Sequence, residues 1–285
     1  MNMPSMTYDI RTAENARWTL TTLTGVPLSV WQQYSHYEDE YEYANDFVAD
    51  VITSYGNLPN SYQDFTFCYF HVTTSANECA SFRKNGILDL KQSYLCCDSE
   101  LRIFLKHHDI DISLSKQILT YRGQEFNIAF GASPIQDAEV DKRWLVARKF
   151  FSDYTTCGFL SIDERLPYGG QVHRRPEILL DIDVLLNLDL SKEWQSTHRA
   201  YEIVAKISGE NIICDFDAHL SDKDKVLHYL TYAYHTAFGR PSEHVVLMQN
   251  NVQIPPLDIL EINPFVHWQT INFDTQKSNV PAKFK

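Results

Sequence analysis

What the chain lacks removes most of the common functional classes. No apolar run in its 285 residues approaches the ~20 needed to cross a bilayer. The opening Met-Asn-Met-Pro-Ser-Met-Thr-Tyr has neither the basic nor the apolar region of a secretory signal. Basic charge is in deficit: the formal net charge is −12. A general nucleic-acid binder needs a basic stripe to release phosphate counterions, so any such contact here has to come from a local patch. Six cysteines (Cys68, Cys79, Cys96, Cys97, Cys157 and Cys214) follow no framework spacing, and with no export signal they read as reduced thiols of a cytoplasm. No segment recurs at a period of ~20–50 residues, which excludes solenoids and propellers. There is no His-Glu-x-x-His, Cys-x-x-Cys, Gly-x-Ser-x-Gly, Walker loop or Gly-x-Gly-x-x-Gly, so the chemistries those motifs carry find no support.

What is present is an apolar, aromatic-rich globular chain: 44% hydrophobic and 13% aromatic, enough to bury a sizeable core. Residues 1–60 read as a partly helical N-terminal extension, with apolar residues at helical spacing over 46–52. Residues 65–70 alternate like a short aromatic strand, which His71-Val72-Thr73-Thr74 closes. Ser75 or Asn77 then caps a helix running to about Lys84, stopped by Asn85-Gly86. Residues 91–130 look like a small inserted unit, holding a short amphipathic helix around Leu101, Phe104 and Leu105 and a hairpin turning at Arg122-Gly123. A helix over 139–151, a strand over 158–162 and a helix from Asp222 to Phe238 follow, with 199–207 and 211–215 expected as another strand pair. The fold class expected is α+β with an antiparallel-rich sheet, residues 61–285 forming the main domain.

Three polar clusters stand out. The acidic Glu38-Asp39-Glu40-Tyr41-Glu42 reads as a solvated helix face or as a docking surface for a basic partner. His107-His108-Asp109-Ile110-Asp111 could donate metal ligands, although adjacent histidines after a short helix are more often exposed, and no metal is expected. In His173-Arg174-Arg175-Pro176-Glu177 the guanidinium forks suit a diphosphate or the phosphates of a nucleic acid, and a surface Arg–Glu177 ion pair is the plainer alternative. A strand there would send Arg174 and Arg175 to opposite faces.

Near the C-terminus, Glu243 opens the apolar run of His244-Val245-Val246-Leu247-Met248, and a polar turn and Ile254-Pro255-Pro256 lead into a second run. A carboxylate at the mouth of a strand is held at one fixed point of a cleft. Together with Phe70-His71-Val72-Thr73-Thr74 and Asn85-Gly86-Ile87, in that order, this layout resembles the ADP-ribosyltransferase fold, in its H-Y-E-like branch. Ser242-Glu243 does not reproduce the Glu-x-Glu of the arginine-modifying branch.

The resemblance implies a split antiparallel sheet and NAD as substrate. It makes Glu243 the catalytic residue, stabilising an oxocarbenium-like state. His71 would bond a ribose hydroxyl, beside Val72 and Thr73. The backbone of Val72, where many members carry Gly, would pair with the nicotinamide carboxamide. An aromatic ring would cover the nicotinamide. Tyr168, before Gly169-Gly170, is the candidate, with Phe159 and Tyr121 as competitors and a plain turn residue as the alternative reading. Arg174 would contact phosphate. Implied too is a bacterial toxin or phage-defence transferase, an mRNA-modifying enzyme among the candidates, with RNA or another nucleic acid as acceptor and a cognate antitoxin or chaperone as partner. An NAD glycohydrolase, an RNA 2′-phosphotransferase and a silent protein-interaction module share the same outline.

Overall fold

One strand organises the chain. In the computed structural model, which describes residues 6–129, 138–162, 170–213, 219–240 and 242–266 (the backbone alone over 138–141), an eleven-residue strand runs through the middle of the main sheet.

In chain order, β1 (Met6–Tyr8) leads to helices α1 (Ala13–Thr24), α2 (Leu28–Tyr34) and α3 (Ala44–Tyr55), and then to the long strand β2 (Phe65–Ser75). Helices α4 (Ala80–Asn85), α5 (Leu90–Leu95) and α6 (Glu100–His107) precede a three-stranded meander of β3 (Ile110–Ser113), β4 (Ile118–Tyr121) and β5 (Gln124–Asn127). Next come α7 (Ala138–Phe151), β6 (Cys157–Ser161), α8 (Glu177–Leu186), α9 (Leu190–Thr197), β7 (Arg199–Ser208) and β8 (Ile212–Ile213). The described chain closes with α10 (Asp222–Ala237), β9 (His244–Met248) and β10 (Ile259–Pro264). The fold is α+β. Its main sheet has the order β10-β7-β2-β6-β9-β8, antiparallel throughout, with β1 added in parallel beside the start of β2.

Alternation along β2 explains the two faces. Phe65, Phe67 and Tyr69 join Ile203, Ala205, Ile207, Leu160, Val246 and Met248 in one buried core beneath helices α1, α3 and α10. Each large side chain buried there contributes roughly 1.5–3 kcal/mol. The helices are locally well specified. Thr12 caps α1 through Asn15 N, and a Ser221–Asp224 capping box starts α10. The opposite face carries the smaller cluster of Val72, Phe159 and Phe265. A second core gathers α5 to α9 with the meander, around Leu105, Ile110, Leu119, Phe150, Ile182 and Trp194.

Several expectations shift against this frame. The first sixty residues are helical, yet they form a wall of the main core, because β1 pairs with Phe65, Thr66 and Phe67 and α1 lies along α10. The small unit around 91–130 extends through α7, α8 and α9, which share its core. Strands β7 and β8 do not pair with each other: β7 lies between β2 and β10, and β8 pairs with β9. The acidic 38–42 tract is not a wholly solvated face. Glu38 is buried, accepts from Tyr234 Oη at 3.2 Å and meets Arg240 at 2.8 Å and His235 at 3.3 Å. The hairpin turning at Arg122-Gly123 forms as β4–β5, both turn residues taking the positive φ that a two-residue hairpin needs. Of the cysteines, the five described are free thiols, and Cys214 lies outside the described residues. Among the described residues no helix is long and apolar enough to cross a membrane.

Gly86 ends α4 at φ +80, and a Cβ there would sit 1.9 Å from the Ile254 carbonyl oxygen. That carbonyl accepts from Ile87 N, tying the chain after α4 to the segment after β9. Gly86→Ala is expected to destabilise the fold by about 2 kcal/mol or more, since the left-handed backbone and the clash add. Thermal melting checks it. An unchanged midpoint would contradict the packing described.

Candidate functional site

The main sheet opens beside β2. On its β7 side β2 is paired over ten consecutive residues, Thr66 to Ser75. On the other side β1 covers residues 65–67, and β6 pairs in register only at Phe70↔Phe159. Beyond that point no further residues of the two strands pair. A cavity of about 330 Å³ lies at the parting, between β2, α4, α5, the approach to β6 and the start of α8. That volume is at the lower end of the ~300–1,000 Å³ usual for small-molecule sites.

Three of the residues singled out in the sequence, His71, Val72 and Thr73, line this cavity side by side. His71 donates from Nδ1 to the Cys157 carbonyl at 3.0 Å, which bridges the parted strands. That bond makes Nε2 the acceptor nitrogen of the neutral ring. Burial lowers the His71 pKa, only partly opposed by the bond to Cys157, so the ring stays neutral at physiological pH.

Glu243 stands at the foot of β9, directly before His244, and is half-buried. Two and four residues on, Val245 and Leu247 line the cavity; Glu243 itself does not. Phe70, Phe159 and Val245 form one row across β2, β6 and β9. His71 lies one step beyond that row and Glu243 two steps before it. Three residues at ~3.3 Å and two strand spacings of ~4.8 Å set their Cα atoms on the order of 14 Å apart. Strict alternation would turn them to opposite faces, but the β6–β9 register shifts between Phe159 and Ser161, beside Glu243. Such a bulge re-aims side chains. The structure thus does not bring His71 and Glu243 together: Glu243 lies outside the cavity lining, on the other side of the Phe70–Val245 row from it.

The remaining expected residues fall elsewhere. Tyr168 lies outside the described residues. Of its competitors, Phe159 packs with Val72 and Phe265, and Tyr121 lies against the second core. Arg174 is half-buried in a turn and does not line the cavity, whereas Arg175 does. The expectation for Arg174 is therefore not met: a strand would turn only one of the two arginines inward, but the chain turns at 172–175 and enters α8, and Arg175 is the one on the cavity. His108 of the candidate metal tract pairs with Glu193 at 3.1 Å. Among the described residues no group of three or more His, Cys, Asp or Glu side chains is placed to hold a metal ion.

Sequence reasoning missed several residues of the cavity wall. Glu100 closes its upper end: Oε1 accepts from Ser75 Oγ at 2.6 Å, Oε2 from Ala76 N at 2.7 Å, and His198 stands 3.3 Å away. Burial alone would raise its pKa, but His198, Ser75 and Ala76 more than reverse this and keep it ionised. Trp194, stacked on His198 with centroids 3.5 Å apart, donates to Thr74 Oγ1 at 2.8 Å. Lys149 is held charged against the cost of its burial by Asp153 and Glu177, each at 2.7 Å. Two buried oxygens of the wall, Asp89 Oδ2 and Thr156 Oγ1, have no hydrogen-bond partner among the described residues. Each such orphan costs about 1–3 kcal/mol unless a ligand supplies a partner. Burial pushes the Cys157 thiol up to about 11, so it is no ready thiolate nucleophile.

Comparison with protein-family models, with curated proteins and with solved structures finds no match.

Burial lowers the pKa of His71, and of His173 and His244 to about 4, from the ordinary 6.5. These rings stay neutral in the fold where the unfolded chain has already taken up protons. Their stability contribution is therefore whole above about pH 6.5 and is lost as the pH falls from there toward about 4. The melting temperature of His244→Gln is expected to drop less between pH 7 and pH 4.5 than that of the unaltered protein. Equal drops would show that His244 is not held neutral.

Proposed function

We propose that the protein is an NAD-dependent ADP-ribosyltransferase of the H-Y-E-like kind, acting on a macromolecular acceptor, with RNA or another nucleic acid ahead of protein. The observation that carries this reading is the placement of His71, Val72 and Thr73 together on a cavity where the sheet splits, with the strand that Glu243 opens forming another part of its wall. The neutral His71 offers an acceptor to a ribose hydroxyl. The backbone of Val72 lies where β6 no longer pairs with β2 and is suited to a carboxamide. Tyr168, in the segment between β6 and α8, is the candidate ring over the nicotinamide.

In this reading the bond between ribose C1″ and the nicotinamide nitrogen breaks, and its electron pair leaves with neutral nicotinamide. Glu243 hydrogen-bonds the 2′-hydroxyl and stabilises the positive charge left on the ribose. Electrostatic preorganisation of this kind needs no second acid. A nucleophile of the acceptor then attacks C1″ and gives up its proton. Apolar walls from Val72, Val245 and Leu247 keep water from competing.

The setting that goes with this chemistry is a cytoplasmic toxin or phage-defence effector, restrained by a cognate antitoxin or chaperone. A silent interaction module is less well supported, because Glu38, the first residue of its acidic contact, is engaged internally by Tyr234 and Arg240. Incubation with labelled NAD and separate pools of RNA, DNA and protein is expected to label one pool, and Glu243→Ala to abolish the labelling. Free ADP-ribose without labelled acceptor would indicate a glycohydrolase. No NAD consumption would sink the proposal. Expression should also arrest growth, and Glu243→Ala should relieve the arrest.

A further inference from the structure

Arg175 is a buried cation with no ion pair among the described residues. It is 7% exposed and lines the cavity, and its one hydrogen bond runs from Nη1 to the Gly170 carbonyl at 3.2 Å. Guanidinium has five N–H donors, so most of its capacity is unspent. No neighbouring carboxylate among the described residues forms an ion pair with it. Glu177 is bound to Lys149, and Asp183 accepts from the Leu190 and Ser191 amides. Asp181 attracts Arg175 without contact, and its own carboxyl is pushed up by burial. Arg174, next in the chain, repels it. Loss of hydration outweighs these attractions and lowers the Arg175 pKa. A buried charge in this state is costly unless something pairs with it.

The start of α8 adjoins the same place. Pro176, Glu177 and Ile178 line the cavity, and the ten-residue helix starts after Pro176, its N-cap residue, with no side-chain cap. Among the described residues no acceptor meets the Glu177 and Ile178 amides. Free amides and the positive end of the helix dipole favour an anion.

The geometry points to a phosphoryl-binding subsite made by Arg175 and the first turn of α8, which takes a phosphate or diphosphate of a small ligand inside the cavity. This inference takes the ligand's identity, the diphosphate of NAD, from the function proposed above. It also moves the phosphate contact from Arg174 to Arg175. The guanidinium fork supplies two parallel donors to phosphate oxygens, and the amides complete the cradle.

Calorimetric titration with pyrophosphate, nicotinamide mononucleotide and nicotinamide riboside tests this on the full chain. The unaltered protein is expected to bind the first two. Arg175→Gln should weaken both by roughly ten- to a hundredfold, Arg175→Lys by less, and Arg174→Gln hardly at all. The riboside, which has no phosphate, should bind equally to all four proteins. A structural arginine would lower the ligand-free melting temperature on replacement. Here Arg175→Gln is expected to leave it unchanged or raise it, while losing the upward shift that pyrophosphate gives the unaltered protein. Pyrophosphate binding that Arg175→Gln leaves intact, or no binding at all, overturns the subsite. A lower ligand-free melting temperature in both Arg175 variants also overturns it. A short oligoribonucleotide that displaces pyrophosphate assigns the subsite to the acceptor's phosphate instead. Arg175-dependent pyrophosphate binding without NAD consumption keeps the subsite and defeats the NAD reading.

Discussion

The single register pair Phe70↔Phe159 decides the character of the molecule. Had β6 stayed paired with β2 over its whole length, as β7 does, the sheet would be closed and His71 would be one more strand residue. Instead the pairing with β6 ends after Phe70, and the backbone groups on that side must be satisfied by other means. His71 does part of this by donating to the Cys157 carbonyl. Gly158 helps set the crossing: a Cβ there would meet the Tyr69 ring at 2.3 Å and the Phe70 carbonyl at 2.6 Å. The space beyond the crossing is the cavity.

That opening is held by two cores rather than one. The odd-numbered face of β2 is anchored in the main core, which fixes the strand's position. Its far end is tied to the second core by Trp194 on Thr74 and by Glu100 on Ser75 and Ala76. The cavity therefore lies at a seam, a common place for ligand sites. Its wall is apolar at Val72, Val245 and Leu247, with Arg175, Asp89 and Thr156 as polar points that the protein leaves incompletely satisfied. A seam with unsatisfied polar points is suited to an elongated ligand that carries both an apolar ring and charged oxygens.

Much of the local structure was legible in the sequence, because it depends on short-range rules. The Arg122-Gly123 hairpin, the helix after Ser221 and the stop at Gly86 all follow from turn and cap chemistry. The grouping of His71, Val72 and Thr73 could be read from a strand ending before a capped helix. Pairing partners were not legible: β7 and β8 are consecutive, yet each is claimed by a distant strand. The depth of the N-terminal helices in the core depends on β1 finding β2, a contact nearly sixty residues away in sequence. Glu100, Asp89 and Thr156 carry no local signal, since ordinary cap and strand residues acquire their roles only when the seam forms. Arg175 was within reach: the Pro-Glu step after it is a helix-start signal, and a helix rather than a strand changes which arginine turns inward.

The central claim is that the opening between β2 and β6 receives NAD. Calorimetric titration of NAD into the unaltered protein and into Thr73→Trp, which fills the opening from β2, tests it most directly. The account predicts that the unaltered protein binds NAD and that Thr73→Trp, with its melting temperature retained, does not. Equal affinity in the two proteins, or no binding by either, would contradict it.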